Sequence, residues 1–174
     1  MVQKVMVWDL FVRLFHWSLV TIVVLNLFVV SEGSTIHQYL GYGACVLVAL
    51  RIVWGFVGTR YARFSDFFPT PARFKAHLLA MKNREPETHL GHNPMGALMI
   101  FALIAVIFGL GITGWAQTMD SPYYIELWPL QWHRYLVNTL QVLVVLHVLA
   151  VVVMSVLHKT DLVGAMITGR KKQP

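Results

Sequence analysis

Four long apolar stretches, parted by polar segments, organise this chain. They run from about Phe11 to Val30, Ile36 to Val57, Met95 to Trp115 and Tyr135 to His158. Each is close to or above the roughly 20 residues that a helix needs to cross a hydrocarbon layer about 30 Å thick. The pattern predicts an all-α fold: an integral membrane four-helix bundle of four transmembrane helices. Lys4 and Arg13 flank the start of the first stretch as basic residues precede a signal peptide's apolar region. The run is long for that role and contains His16, Trp17 and Asn26, so it reads as a retained first helix. Ser31 to Thr35 form a tight polar turn, and the chain before Phe11 lies at the surface. The one substantial loop, Thr59 to Pro94, contains Thr70-Pro71, an N-cap followed by a first helical residue. Phe74, Leu78 and Met81 then share one face, which predicts a short interfacial helix. Tyr123, Tyr124, Trp128 and Trp132 cluster before the fourth stretch, as aromatic rings do at headgroup level.

Composition sharpens the class. Of 174 residues, 57% are hydrophobic and 13% charged, against about 25% charged in soluble domains. A single membrane domain over residues 1–174 is the natural division. Cys45 is the one cysteine, which excludes an intramolecular disulfide, a thiolate cluster and a Cys-x-x-Cys-His haem attachment. The net charge of +6 would suit nucleic acid, but twelve of the fourteen basic residues fall in the N-terminal segment through Arg13, the long loop and the C-terminal tail. The other two connections hold Arg134 with Glu32, Asp120 and Glu126. This asymmetry reports topology: both termini and the long loop face the cytoplasm, against membrane lipid and not nucleic acid.

Histidines carry the candidate chemistry. His147 and His158 are eleven residues apart, so they share a helix face about 16 Å apart along its axis. Ionisable groups inside a span are costly and are usually functional. With roughly perpendicular helices, His16 and His158 fall at one depth on the cytoplasmic side, and His37 and His147 at another on the outer side. Each pair joins two helices, as bis-imidazole ligation of a haem in a bundle core requires. Any one of these histidines could instead be a hydrogen-bonded packing residue; same-face spacing at two depths favours ligands. His133, fourteen residues before His147, is the alternative outer ligand, although it falls about 21 Å outward, at the aqueous edge. His77 and His89 read as solvated loop residues. His92 and Asn93 either line a cytoplasmic quinone pocket or simply start the third helix.

Arg51 is the other charge within a span, near the depth of His16. A haem propionate or a quinone oxygen would partner its guanidinium; snorkelling to the headgroups is the competing reading. Gly41 and Gly43 leave room for a bulky group or a helix. Asn26, Asn138 and Gln141 read as interhelical hydrogen-bonders, and Cys45 as packing.

Several motifs also resemble one family, the bacterial cytochrome b561 and Ni,Fe-hydrogenase cytochrome b-subunit superfamily. They are the segment from Trp8 to Trp17, His37-Gln-Tyr-Leu-Gly-Tyr, Arg51 to Gly58, Gly91 to Gly96, Leu146-His147-Val, Leu157-His158-Lys and the tail from Asp161 to Arg170. The resemblance spans nearly the whole chain. It implies two non-covalent b-type haems in a four-helix bundle, one ligand each from the first and second helices and two from the fourth. It further implies electron transfer between quinone and a periplasmic redox partner, such as a c-type cytochrome, across a bacterial inner membrane. The chain is shorter than typical hydrogenase subunits of this kind, which weakens that particular role. The rival readings are a superoxide-oxidising enzyme with quinone as acceptor, and a metal transporter using the histidines. The slightly acidic outer loops argue against the first, and the absence of internal repeats against the second.

Overall fold

The computed structural model describes residues 4–83, 89–119 and 128–172. Asp120, Tyr123, Tyr124 and Glu126, and the loop residues Arg84, Glu85 and Glu87, lie outside the described residues. The four apolar stretches form four helices long and apolar enough to cross a membrane. These are α1 (Leu10–Phe28), α2 (Thr35–Val57), α5 (Pro94–Ala116) and α6 (Trp128–Leu157). Short elements join or follow them: a 3-10 turn (Arg60–Ala62), α3 (Phe64–Phe67), α4 (Pro71–Lys82) and α7 (Leu162–Thr168).

Local sequence sets the helix starts. The Asp9 carboxylate accepts from Val12 N–H at 2.8 Å, Ser34 Oγ from His37 N–H at 3.2 Å, and Asn93 Oδ1 from Gly96 N–H at 2.8 Å. Each satisfies a donor the helix leaves without a partner. Thr70 caps α4 and Pro71 opens it, as its sequence predicts. The fourth helix departs from expectation. It begins at Trp128, not near Tyr135, and is 30 residues long. Pro129 stands in its first turn, where a missing N–H leaves no hydrogen bond unmade.

Helix α1 packs on α2, α2 on α5, and α5 on α6, whereas neither α1 nor α2 packs closely on α6. An apolar layer of Ala44, Val48, Ile107 and Leu140 fills the middle of the bundle. Small residues set the close approaches. A Cβ at Gly111 would overlap Cys45 Sγ, and one at Gly109 would come within 3.0 Å of Leu136. Outward positions such as Val145, Leu149 and Val153 are at least half exposed, as a lipid-facing surface demands.

The segments before α1 and after α7 form an element that the apolar pattern did not reveal. Strand β1 (Lys4–Met6) pairs antiparallel with β2 (Arg170–Lys172), Val5 opposite Lys171. Both strands therefore lie at one end of the bundle. Val7 and Trp8 donate to the Gly169 carbonyl at 2.8 and 3.0 Å, and Arg13 Nη1 to the Ile167 carbonyl at 2.7 Å. Beneath them Val7, Trp8, Val12, Ala62 and Ala165 form a second buried cluster. Outside the bilayer such burial contributes about 1.5–3 kcal/mol per large side chain. Among the spans, packing and close approach replace that driving force.

Candidate functional site

Two imidazole pairs lie in the bundle. The ring centres of His16 on α1 and His147 on α6 are 6.4 Å apart. Those of His37 on α2 and His133 on α6 are also 6.4 Å apart. In each pair the two rings come from helices that do not pack closely on one another. On α6 the pairs are fourteen residues apart, about 21 Å along the axis, and Leu140 of the apolar layer lies midway between them.

The ring contacts differ from the pairing expected by depth. His147 faces His16, not His37, and His133 takes the place beside His37. His158 follows the last residue of α6. The physical reason is the length of α6: 30 residues extend about 45 Å, well beyond a core about 30 Å thick. Its last turn and the residue after it are therefore no guide to the depth of His16, and His133 is a helical residue within the bundle.

The pairs suit a metal held between two rings. A metal–imidazole bond of about 2 Å and about 1 Å from the donor nitrogen to each ring centre place trans ring centres about 6 Å apart. The Nδ1 atoms of His16 and His37 are buried with no partner among the described residues. A Cβ at Gly41, one turn beyond His37, would meet nothing within 4 Å. The weak packing of α6 on α1 and α2 and the open position at Gly41 are compatible with a flat group held between the rings. Among the described residues no three His, Cys, Asp or Glu side chains cluster as a small metal site.

Neighbouring residues hold the rings. Asn26 Nδ2 donates to the His37 carbonyl at 3.4 Å, tying α1 to the first turn of α2. Thr113 Oγ1 lies 2.9 Å from His133 Nδ1 and is itself buried. Sequence reasoning missed Thr113, because a threonine in an apolar helix ordinarily bonds its own preceding turn. The fourteen-residue spacing of His133 and His147 was the readable signal for His133.

At the end of the bundle that carries both strands, Arg51 is 3% exposed. Its Nη2 donates to the Ala62 carbonyl at 3.0 Å, and the guanidinium lies 5.1 Å from the Phe64 ring centre. Nη1 is buried with no partner among the described residues. The side chain is thus turned into the protein rather than snorkelling. Asp9 lies close enough to feel its charge. Burial alone would push the Asp9 carboxyl up, but the Thr59 hydroxyl, the Val12 N–H, the Trp54 indole and Arg51 together hold it below its ordinary 3.8.

His92 lies at the same end, with ring centres 4.4 Å from Trp8 and 4.7 Å from Phe67. Burial first, then the charges of Arg51 and Lys171, push its pKa down to about 3. It is therefore neutral at ordinary pH, and its Nδ1 is buried without a partner among the described residues. Asn93 caps α5 with its side chain, which accounts for that residue. His77, expected in solvent, is instead buried on α4 against the exposed His89, ring centres 5.9 Å apart.

The sequence profile described as prokaryotic cytochrome b561 matches residues 7–169. Three curated proteins, each described as a probable Ni/Fe-hydrogenase B-type cytochrome subunit, are similar to the chain. The protein from Bradyrhizobium diazoefficiens is 24% identical over 83% of the chain and 68% of its own length. The one from Rhizobium leguminosarum bv. viciae is 24% identical over 97% and 89%. The one from Azotobacter vinelandii is 25% identical over 95% and 87%. No solved structure matches the chain.

Proposed function

The chain belongs to the prokaryotic cytochrome b561 family, a multi-pass membrane b-type cytochrome, and from that premise we propose that it carries two haems and conducts electrons between membrane quinone and a redox protein at the opposite face. The observation that carries this reading is the pair of imidazole pairs at 6.4 Å. In it, His16 and His147 would hold one b-type haem, and His37 and His133 the other. Bound haem supplies a one-electron couple at each site.

The protein's own part is to orient and to insulate. Two imidazoles per iron leave no open coordination position, which favours electron transfer over chemistry at the metal. The apolar layer of Ala44, Val48, Ile107 and Leu140 separates the two sites and keeps the surroundings low in dielectric, so nearby charges weigh heavily on the potentials. Arg51 offers the buried Nη1 donor for an anionic propionate of the His16/His147 haem. By the distribution of basic residues this end faces the cytoplasm of a bacterial inner membrane.

Quinol oxidation releases two electrons and two protons. His92 supports placing the quinone site at the terminal end, as a hydrogen-bonding group for a quinone or quinol oxygen: it lies among aromatic rings and has a buried Nδ1 without a partner among the described residues. At the far face the partner is a periplasmic c-type cytochrome. The three relatives, described as probable hydrogenase cytochrome subunits, favour a second reading, a hydrogenase as that partner.

Adding a soluble quinol such as duroquinol to the oxidised protein tests this function. The expected result is reduction of the b-type haems within the mixing time of the assay, lost when a quinol-site inhibitor is present. Haems that dithionite reduces but quinol does not would remove quinone from the account.

A further inference from the structure

Donor rings that bind metal commonly give their second nitrogen to an oxygen acceptor, which fixes tautomer and orientation. Of the four imidazoles, His133 has such a partner on a different helix. Thr113 Oγ1 on α5 lies 2.9 Å from His133 Nδ1. The same hydroxyl lies 2.8 Å from the Gly109 carbonyl and 3.2 Å from that of Leu110. A hydroxyl has one proton to give. Donated to Gly109, one turn back, it leaves a lone pair facing His133. The hydroxyl can then only accept, so Nδ1 carries the ring proton and Nε2 is left with its lone pair.

The packing of α5 on α6 makes this contact possible. A Cβ at Gly109 would come within 3.0 Å of Leu136, and one at Gly114 within 3.4 Å of His133 Cε1. Glycine on both sides of Thr113 therefore brings the α6 backbone close enough for a short threonine side chain to reach an imidazole.

We propose that Thr113 is the positioning residue of the His37/His133 site: it accepts the Nδ1 proton of His133, fixes the ring plane and leaves Nε2 to the iron. This rests on His133 being a haem ligand. Hydrogen bonding from Nδ1–H makes the imidazole a stronger donor, which favours ferric over ferrous iron and lowers the potential of that haem alone. The contact also bears on ring orientation, since the His37 and His133 planes lie at 64° and ferric low-spin resonance spectra respond to that angle.

The test is a redox titration with ferric resonance spectra on purified Thr113→Val and Thr113→Ser proteins. Thr113→Val keeps the shape and removes the acceptor. The expected result is retention of both haems, a rise in one midpoint potential and a changed low-spin signal from that haem, the other haem unmoved. A tenfold loss of ferric preference corresponds to 59 mV for one electron. Thr113→Ser, which keeps the hydroxyl, is expected to titrate like the unmodified protein. If Thr113→Val loses a haem while Thr113→Ser keeps it at the original potential, the hydroxyl is again the cause. Unmoved potentials and spectra in Thr113→Val, or equal defects in both variants, overturn the proposal. A His133→Ala protein with both haems would instead overturn the ligand assignment beneath it.

Discussion

A His133→Ala variant is expected to lose one of two haems, whereas His158→Ala keeps both. His133 faces His37 at 6.4 Å, and losing one of two axial imidazoles removes half of the protein's bonds to the iron in a non-covalent site. His158 follows the end of α6, and its removal costs no ligand in this arrangement. His147→Ala is expected to remove the other haem, the one shared with His16. Haem quantified as the pyridine complex against polypeptide separates these cases, since the expected change is a full haem equivalent. Normal haem content in His133→Ala with a loss in His158→Ala would restore the pairing by helix depth.

The second large effect is expected at Gly169. This residue ends α7 in the left-handed region at φ 80°, where a β-carbon costs about 1–2 kcal/mol. A Cβ there would also stand 2.5 Å from the Trp8 carbonyl oxygen. The Gly169 carbonyl accepts from both Val7 and Trp8, and each such bond is worth about 1 kcal/mol net. Gly169→Val is therefore expected to open the strand pair that joins the two terminal segments, a loss of about 3–4 kcal/mol if both bonds go. Hydrogen exchange at residues 4–8 and 170–172 reads this directly. Fast exchange confined to those segments, with α5 and α6 still protected, is the predicted pattern; unchanged protection would show that the chain accommodates the side chain.

The spans were legible because a bilayer imposes a length, and nothing in the chain other than an apolar run of about 20 residues meets it. The cap at Thr70 was legible for a similar reason: few residue types can satisfy the first N–H groups of a helix. The pairing of the histidines was less so. Spacing placed His147 and His133 on one face, but depth was reckoned from span ends, and α6 overhangs the layer that the reckoning assumed. Whether a ring at the end of a long helix is inside or outside depends on tilt and packing against α5, which is tertiary information. Strands of three residues carry no periodicity, so the β1–β2 pair left no trace in the pattern. Thr113 was silent for another reason. Its hydroxyl bonds its own helix as any threonine might, and the second bond to His133 exists only because Gly109 and Gly114 admit α6.

The central claim is that two haems are each held between two imidazoles. Haem content of the unmodified protein, measured together with carbon monoxide binding to its dithionite-reduced form, tests it most directly. The account predicts two b-type haems per chain, low-spin spectra in both oxidation states and no spectral change on adding carbon monoxide. One haem per chain, or a reduced haem that binds carbon monoxide, would contradict it.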